Sequence, residues 1–259
     1  PPKKKYRGLK IIESEVHQLA NKHNIKVYCP NTFDNDTIEI ISNLNPDLII
    51  VMAYGKLLPK EILNLPTFGC INIHVSLLPR WRGAAPIEYA LINGDKNTGI
   101  SIIKLIEKLD AGPIINQKKV EIDDNFNKIE LSNKLTDVGT KLLIETIPLI
   151  FKEKISYSIQ DNNLATYANK ISSKDRKIDF NKSVNEVLNL IRAHSPKPGA
   201  WFTIQNERIK IIKARKSNSI GNASTILNET FDIGCNDGSI EPLILQREGK
   251  NAISKDDFL

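Results

Sequence analysis

The chain has 259 residues, of which 41% are hydrophobic and 25% charged, ordinary globular usage that excludes disordered, collagen-like and disulfide-scaffold classes. Its 36 Lys+Arg against 30 Asp+Glu leave a net charge of +6, an excess that suits a polyanionic partner. The three cysteines, Cys29, Cys70 and Cys235, are far apart and in no C-x-x-C spacing, so a disulfide framework and a structural metal site are both poor fits and a reducing cytoplasm is expected.

The first residues are a basic, Pro- and Gly-containing stretch with five positive charges between Lys3 and Lys10, read as an exposed loop, and no apolar signal core or membrane-length run follows. An amphipathic helical pattern spans about 12–22, then come a short apolar segment at 25–28 and a helical stretch near 36–44. Asp47-Leu-Ile-Ile-Val-Met-Ala53 is short, continuous and β-branched, which predicts a buried strand. A short helix near 59–65 precedes a second predicted strand, Gly69-Cys-Ile-Asn-Ile-His-Val75, and a helix near 84–93 leads to a third at 99–106. A long helix over about 128–147 closes this half. Strands alternating with helices imply an α/β domain with a mainly parallel sheet over residues 1–155. Residues 156–174 lose apolar periodicity and read as a linker. Beyond it, one helix at 184–193 and short strands at 201–204, 208–215 and 242–245 predict a small OB-like β-barrel over 175–259.

Asn72 and His74 leave the same face of their strand, while Ile71, Ile73 and Val75 leave the other. A satisfied polar group at a strand end accounts for a lone histidine. This pair, however, runs into Ser76-Leu77-Leu78-Pro79 at the C-terminal end of a strand, where open α/β sheets place ligands. The string Asn72-x-His74-x-Ser76-Leu-Leu-Pro79 resembles the signature of the folate-dependent formyltransferases. Arg80-Trp-Arg-Gly-Ala-Ala-Pro86 resembles the methionyl-tRNA branch of that family. The family's aspartate, in a loop after the next strand, is matched by Asp110 in Leu109-Asp-Ala-Gly112, a segment that by itself reads as a turn.

The resemblance implies transfer of a formyl group from 10-formyltetrahydrofolate to the amino group of methionyl initiator tRNA, with no metal. In that reading His74, as imidazolium, and Asn72 donate to the developing oxyanion, and Asp110 holds His74 charged and assists proton removal. It also implies a folate pocket built from Ala53, Tyr54, Gly55 and Leu57, from Ser76, Leu77, Leu78 and Pro79, and from Ile106 and Leu109. Without the motif, Tyr54 and Leu57 read as core residues. Arg7-Gly8-Leu9-Lys10 matches the placement of a basic loop that enters the tRNA acceptor end, so Lys5, Arg7 and Lys10 are expected RNA contacts, against a solvated charge run as the plain alternative.

A second basic stretch follows from strand alternation, which sets Arg208 and Lys210 on one face and Ile209 and Ile211 on the other. Such a face suits an RNA backbone, and the solvated outside of a barrel explains it equally well. His194 has no catalytic partner nearby in sequence and reads as structural. The resemblance covers almost the whole chain and departs at its ends, since the family begins with a strand, a Gly-containing turn, a helix and a strand that are absent here and continues past Leu259. A monomer is expected. Two alternatives stay open: a sister formyltransferase acting on a small amine, and an inactive RNA-binding remnant.

Overall fold

The structure, a computed structural model, describes residues 3–5 and 10–259, with side chains from residue 13 onward. Two units are distinguished: Pro1–Ile49 with Lys56–Gly69, and Ile50–Gly55 with Cys70–Leu259. Among the described residues no helix is long and apolar enough to cross a membrane.

In the first unit β1 (Lys3–Lys5) and β2 (Lys10–Ile12) pair antiparallel, with Lys5 opposite Lys10, so the basic start expected as a loop is a two-stranded ribbon. Residues 6–9, which include Arg7, lie outside the described residues. Helix α1 (Glu15–Lys22) begins at Ser14, whose hydroxyl accepts from the His17 N–H at 3.2 Å. Helix α2 (Asn35–Asn43) begins at Asp34, whose carboxylate accepts from the Thr37 N–H at 3.0 Å. Residues 25–28 form no element. Strand β3 (Ile49–Val51), whose last two residues belong to the second unit, is shorter than the apolar run that predicts it, and Ile50 and Met52 are 43% and 53% exposed. The run reads as buried from composition alone; β3 stands at the end of the strand order, with no ladder on its outer side among the described residues. The short helix α3 (Lys60–Leu63) completes this unit.

The second unit continues with β4 (Cys70–His74), β5 (Arg82–Gly83), α4 (Pro86–Ile92), β6 (Asn97–Lys104), β7 (Ile114–Glu121) and α5 (Lys128–Phe151). The sheet order is β3-β4-β6-β7. The α/β class expected from the alternation is present, and within it the ladders β4–β6 and β6–β7 are antiparallel, with Asn72 opposite Ile103 and His74 opposite Ser101. The connection from β6 to β7, residues 105–113, is too short for a crossover, so β7 returns beside its predecessor in the opposite direction. Strand β7 has no counterpart among the predicted elements, because its Gln117-Lys-Lys119 run faces solvent and leaves no apolar alternation.

Helix α5 starts at a reciprocal cap: the Asn127 side chain accepts from the Glu130 N–H at 3.2 Å, and the Glu130 carboxylate accepts from the Asn127 N–H at 2.7 Å. The helix lies on β6 and β7, approaching closely at Gly139, where an added Cβ would stand 3.3 Å from Ile100. Leu91, Ile100, Ile102, Leu131 and Leu135 are fully buried there.

The chain then makes β8 (Tyr167–Ala168), which pairs parallel with β5. Helix α6 (Val184–His194) is capped by Ser183 and Glu186, and β9 (Ala200–Ile204), β10 (Glu207–Ser217), β11 (Ile233–Cys235), β12 (Gly238–Arg247), β13 (Ala252–Ser254) and α7 (Lys255–Phe258) follow. The five strands form one antiparallel sheet in the order β11-β12-β10-β9, with β13 on β12. Gln205 and Asn206, both at positive φ (48° and 65°), close the β9–β10 hairpin with the twist antiparallel strands favour. A register shift between Ile211 and Ala214 bends β10, and this curls the sheet into a half-barrel around Phe202, Ile209, Ile211, Ile240 and Leu245.

His194, at the end of α6, is 1% exposed, and among the described residues its Nε2 has no hydrogen-bond partner. Burial away from water disfavours its charged form and lowers its pKa from 6.5 to about 4. The folded state therefore holds His194 neutral while the unfolded chain takes up a proton, so stability falls as pH drops from about 6.5 towards 4. The expected loss is on the order of 2 to 3 kcal/mol across that window. Urea titrations at both ends of the window check this: His194→Gln is expected to lose less between them than the unsubstituted protein, and parallel losses would show that His194 does not titrate on unfolding.

Candidate active site

Strand β4 carries Asn72 and His74 to its C-terminal end, and the loop after β6 carries Asp110. The three side chains converge. Asp110 is buried, and its Oδ2 accepts from the Gly83 N–H at 2.8 Å and lies 3.7 Å from His74 Nδ1. Its Oδ1 accepts from Asn72 Nδ2 at 3.4 Å. The other ring nitrogen of His74, Nε2, is 2.8 Å from the carbonyl oxygen of Trp81; a carbonyl only accepts, so Nε2 carries the proton there. That leaves Nδ1 as the edge that meets the Asp110 carboxylate.

Trp81 holds this geometry at φ 62°, a left-handed conformation rare for a bulky residue. Several contacts impose it. The Trp81 N–H donates to Thr166 Oγ1 at 2.9 Å, its indole Nε1 donates to Asp95 at 2.7 Å, and Asp95 also accepts two bonds from Arg80 at 3.0 and 2.7 Å. The Arg80 guanidinium lies over the Trp81 ring, 4.2 Å from a ring centroid. Gly83 and Asp110 are also at positive φ, 114° and 46°. Unusual backbone thus surrounds His74, which is where strain tends to be kept for function.

Beneath the loop at 76–79, Ser101 Oγ donates to the Ser76 carbonyl at 2.6 Å and accepts from the Leu78 N–H at 3.0 Å and from Gln117 Nε2 at 2.8 Å. Gln117 Nε2 also donates to the Leu78 carbonyl at 3.1 Å, and the Ser76 hydroxyl donates to the Arg80 carbonyl at 2.6 Å. Ser76 and Leu78 are buried in the frame of this loop, with Leu77 and Pro79 half-buried. Of the other residues expected around a folate, Ile106 and Leu109 are exposed on the loop that ends at Asp110, and Ala53, at φ 50°, Tyr54 and Gly55 are exposed at the end of β3. Leu57 is exposed and belongs to the first unit.

Sequence reasoning finds the three converging residues and misses what holds them. The Trp81 carbonyl and the Gly83 N–H are backbone groups, invisible in side-chain chemistry. Residues 158–168, read as linker, are fastened to this site: Ser158 bridges to Ile114, the Arg82 N–H donates to the Thr166 carbonyl at 2.9 Å, and Gln160 is buried beside Asp110.

The sequence matches the formyl transferase family over residues 1–147 and the C-terminal domain of that family over residues 170–259. The chain belongs to the formyl transferase family. It is 40% identical over 262 residues to the methionyl-tRNA formyltransferase of Pelagibacter ubique, covering 100% of this chain and 84% of that protein. To the methionyl-tRNA formyltransferase of Thermodesulfovibrio yellowstonii it is 41% identical over 265 residues, covering 100% of this chain and 85% of that one. Among solved structures, the N-formyltransferase from Helicobacter canadensis in complex with folinic acid and dTDP-3-aminofucose superposes with a TM-score of 0.70 at 21% identity, over 95% of this chain and 87% of that one. HypX from Aquifex aeolicus in complex with tetrahydrofolic acid gives a TM-score of 0.67 at 18% identity, over 86% of this chain and 40% of that one. In formyl transferase terms the chain carries the Rossmann-like catalytic domain and the curled C-terminal half-barrel. The family uses folate-derived formyl donors.

In the C-terminal half-barrel of this formyl transferase, Arg208 and Lys210 stand on the outer face of β10, opposite Thr203 and Trp201 of β9. The Arg208 guanidinium lies 4.1 Å from the centroid of the Trp201 ring, and Lys177 lies 5.9 Å from it. Arg215, further along the same basic run, is paired with Glu241 at 2.6 Å. Lys5 and Lys10 are register partners in the backbone of the N-terminal ribbon.

Gly83 tests how tightly the site is built. An added Cβ would stand 2.7 Å from the Ala168 carbonyl oxygen, at a φ that L residues resist. Gly83→Ala is expected to cost about 1 to 3 kcal/mol in stability, read from urea midpoints, and a midpoint unchanged from the parent would show that the β5–β8 contact is soft.

Proposed function

We propose that this formyl transferase moves the formyl group of 10-formyltetrahydrofolate to the amino group of methionyl initiator tRNA, acting as a cytoplasmic monomer. The observation that carries the reading is the convergence of Asn72, His74 and Asp110 on one buried carboxylate beside the exposed apolar side chains of Ile106 and Leu109. The identity of around 40% over the full chain to methionyl-tRNA formyltransferases supports the choice of acceptor. The folate donor supplies a formyl amide, and Ala53, Tyr54, Gly55, Ile106 and Leu109 offer exposed surface, partly apolar, that suits a flat pteridine.

As the methionyl amine adds to the formyl carbon, the carbonyl oxygen becomes negative and the nitrogen positive. His74, with Nε2–H committed to Trp81, presents Nδ1–H to that oxygen when charged, and Asn72 supplies its amide N–H. Asp110, beside the ring, receives through water the proton the amine gives up. That proton then passes to the departing folate nitrogen as its bond to carbon breaks. Removing one fixed oxyanion donor loses roughly 10² to 10³ in rate, so His74→Ala and Asn72→Ala are each expected to lower kcat by that factor. Assays with methionyl-tRNA and with an amino-sugar nucleotide as acceptors check both points: normal turnover in either variant refutes the assignment, and preference for the sugar refutes the acceptor.

Residues 1–155 serve as the catalytic part and residues 175–259 as an RNA-facing part, with Lys5, Arg7, Lys10, Arg208 and Lys210 as phosphate contacts. The stacked pair of Arg208 and Trp201 supports this, since an aromatic ring flanked by cations suits a nucleic-acid strand. Arg7→Ala, and Arg208→Ala with Lys210→Ala, are expected to raise KM for methionyl-tRNA and leave KM for the folate unchanged. Each lost phosphate contact also flattens the salt dependence of tRNA binding by up to about 0.9 in log–log slope. Equal losses for both substrates would place these residues elsewhere in the mechanism.

A further inference from the structure

Arg82 is 3% exposed, and among the described residues the partners of its guanidinium are neutral oxygens: Gln160 Oε1 at 3.1 and 2.8 Å and Asn162 Oδ1 at 3.0 Å. Two cationic N–H donors on one amide oxygen decide which way the Gln160 amide points, since its NH2 end cannot accept them. That end therefore faces the other side, where Nε2 donates to the Asp110 carbonyl at 2.8 Å and to the Gly112 carbonyl at 2.7 Å. Gln160 is itself 5% exposed, so neither bond has water as a ready substitute.

The two carbonyls flank Ala111 and belong to a turn with little freedom. Asp110 sits at φ 46°, and a Cβ added at Gly112 would stand 1.7 Å from the Lys104 carbonyl oxygen. The residue after Arg82 grips the other end of the same aspartate, through the Gly83 N–H to Oδ2. Main chain and side chain of Asp110 are thus both tied to β5, one through Gln160 and one directly.

We propose that Gln160 is a positioning residue for formyl transfer: oriented by Arg82, it sets the backbone of the Asp110 turn and so the direction of the carboxylate that faces His74. This rests on the catalytic reading of Asp110 given above. Gln160→Glu separates the role from support of Arg82 alone. It keeps an acceptor, now charged, for the guanidinium, and places an oxygen where the amide donated to two carbonyls.

In the full chain, Gln160→Glu is expected to lower kcat roughly 10- to 100-fold, as misplacement of a catalytic group does, with KM for both substrates within about twofold. Gln160→Met, which removes donor and acceptor together, is expected to lose kcat to the same extent and to melt earlier, and it decides the matter should the charged variant not fold. Unchanged kcat in either variant overturns the proposal. Asp110→Asn, run alongside, tells the two failures apart. If it is inactive while Gln160→Glu turns over normally, the positioning role alone falls; if it turns over normally, the catalytic reading falls and takes the positioning role with it.

Discussion

A carboxylate shut away from water has to be supplied with hydrogen-bond donors by the fold, because an unmatched buried charge costs several kcal/mol. Asp110 sets that demand at this site, and its donors come from separate stretches of chain, the Asn72 amide from β4 and the Gly83 N–H from β5, with the His74 ring of β4 3.7 Å away. The carboxylate therefore reports on two ladders at once, since β4 is placed by its register with β6 and β5 by its register with β8. A slip in either would take one of those partners from the charge, so the fold's register and the site's chemistry are specified by the same contacts.

Much of this was legible from the residue string. Alternation put Asn72 and His74 on one face of a strand, and the structure has them there with Asp110 between. The missing parts share a physical cause. Strand β7 carries solvent-facing polar residues and so has no apolar rhythm, and the N-terminal ribbon pairs lysines, which read as loop. Trp81 acts through a carbonyl and Gly83 through an N–H, groups every residue has. Gln160 lies in a stretch of Asn, Asp and Ser whose polarity looked like solvent exposure, whereas its amide is buried because it joins a guanidinium to two carbonyls.

The basic stretch of β10 shows the same division. Its alternation of charged and apolar residues was readable, and Ile209 and Ile211 are fully buried as that pattern requires. Which cations keep an uncompensated charge was not readable, because the partners lie on other strands. Glu241 of β12 takes up Arg215 and Lys255, while Arg208 rests on the Trp201 ring, which engages its face without removing its charge. Among the described residues, only the part of the run nearest the β9–β10 hairpin has this cation-and-ring arrangement.

The stretch 158–168 falls between the segments that match the two family domains, 1–147 and 170–259, yet it is bonded to the catalytic side through Arg82, Asp110 and Gly112. Anyone exchanging C-terminal domains between relatives, or trimming the protein to its N-terminal domain, would be led by the domain borders to cut just behind α5. Such a splice would hand the acid a foreign anchor, or none. A junction after Ala168 would keep the acid and its anchor on one piece.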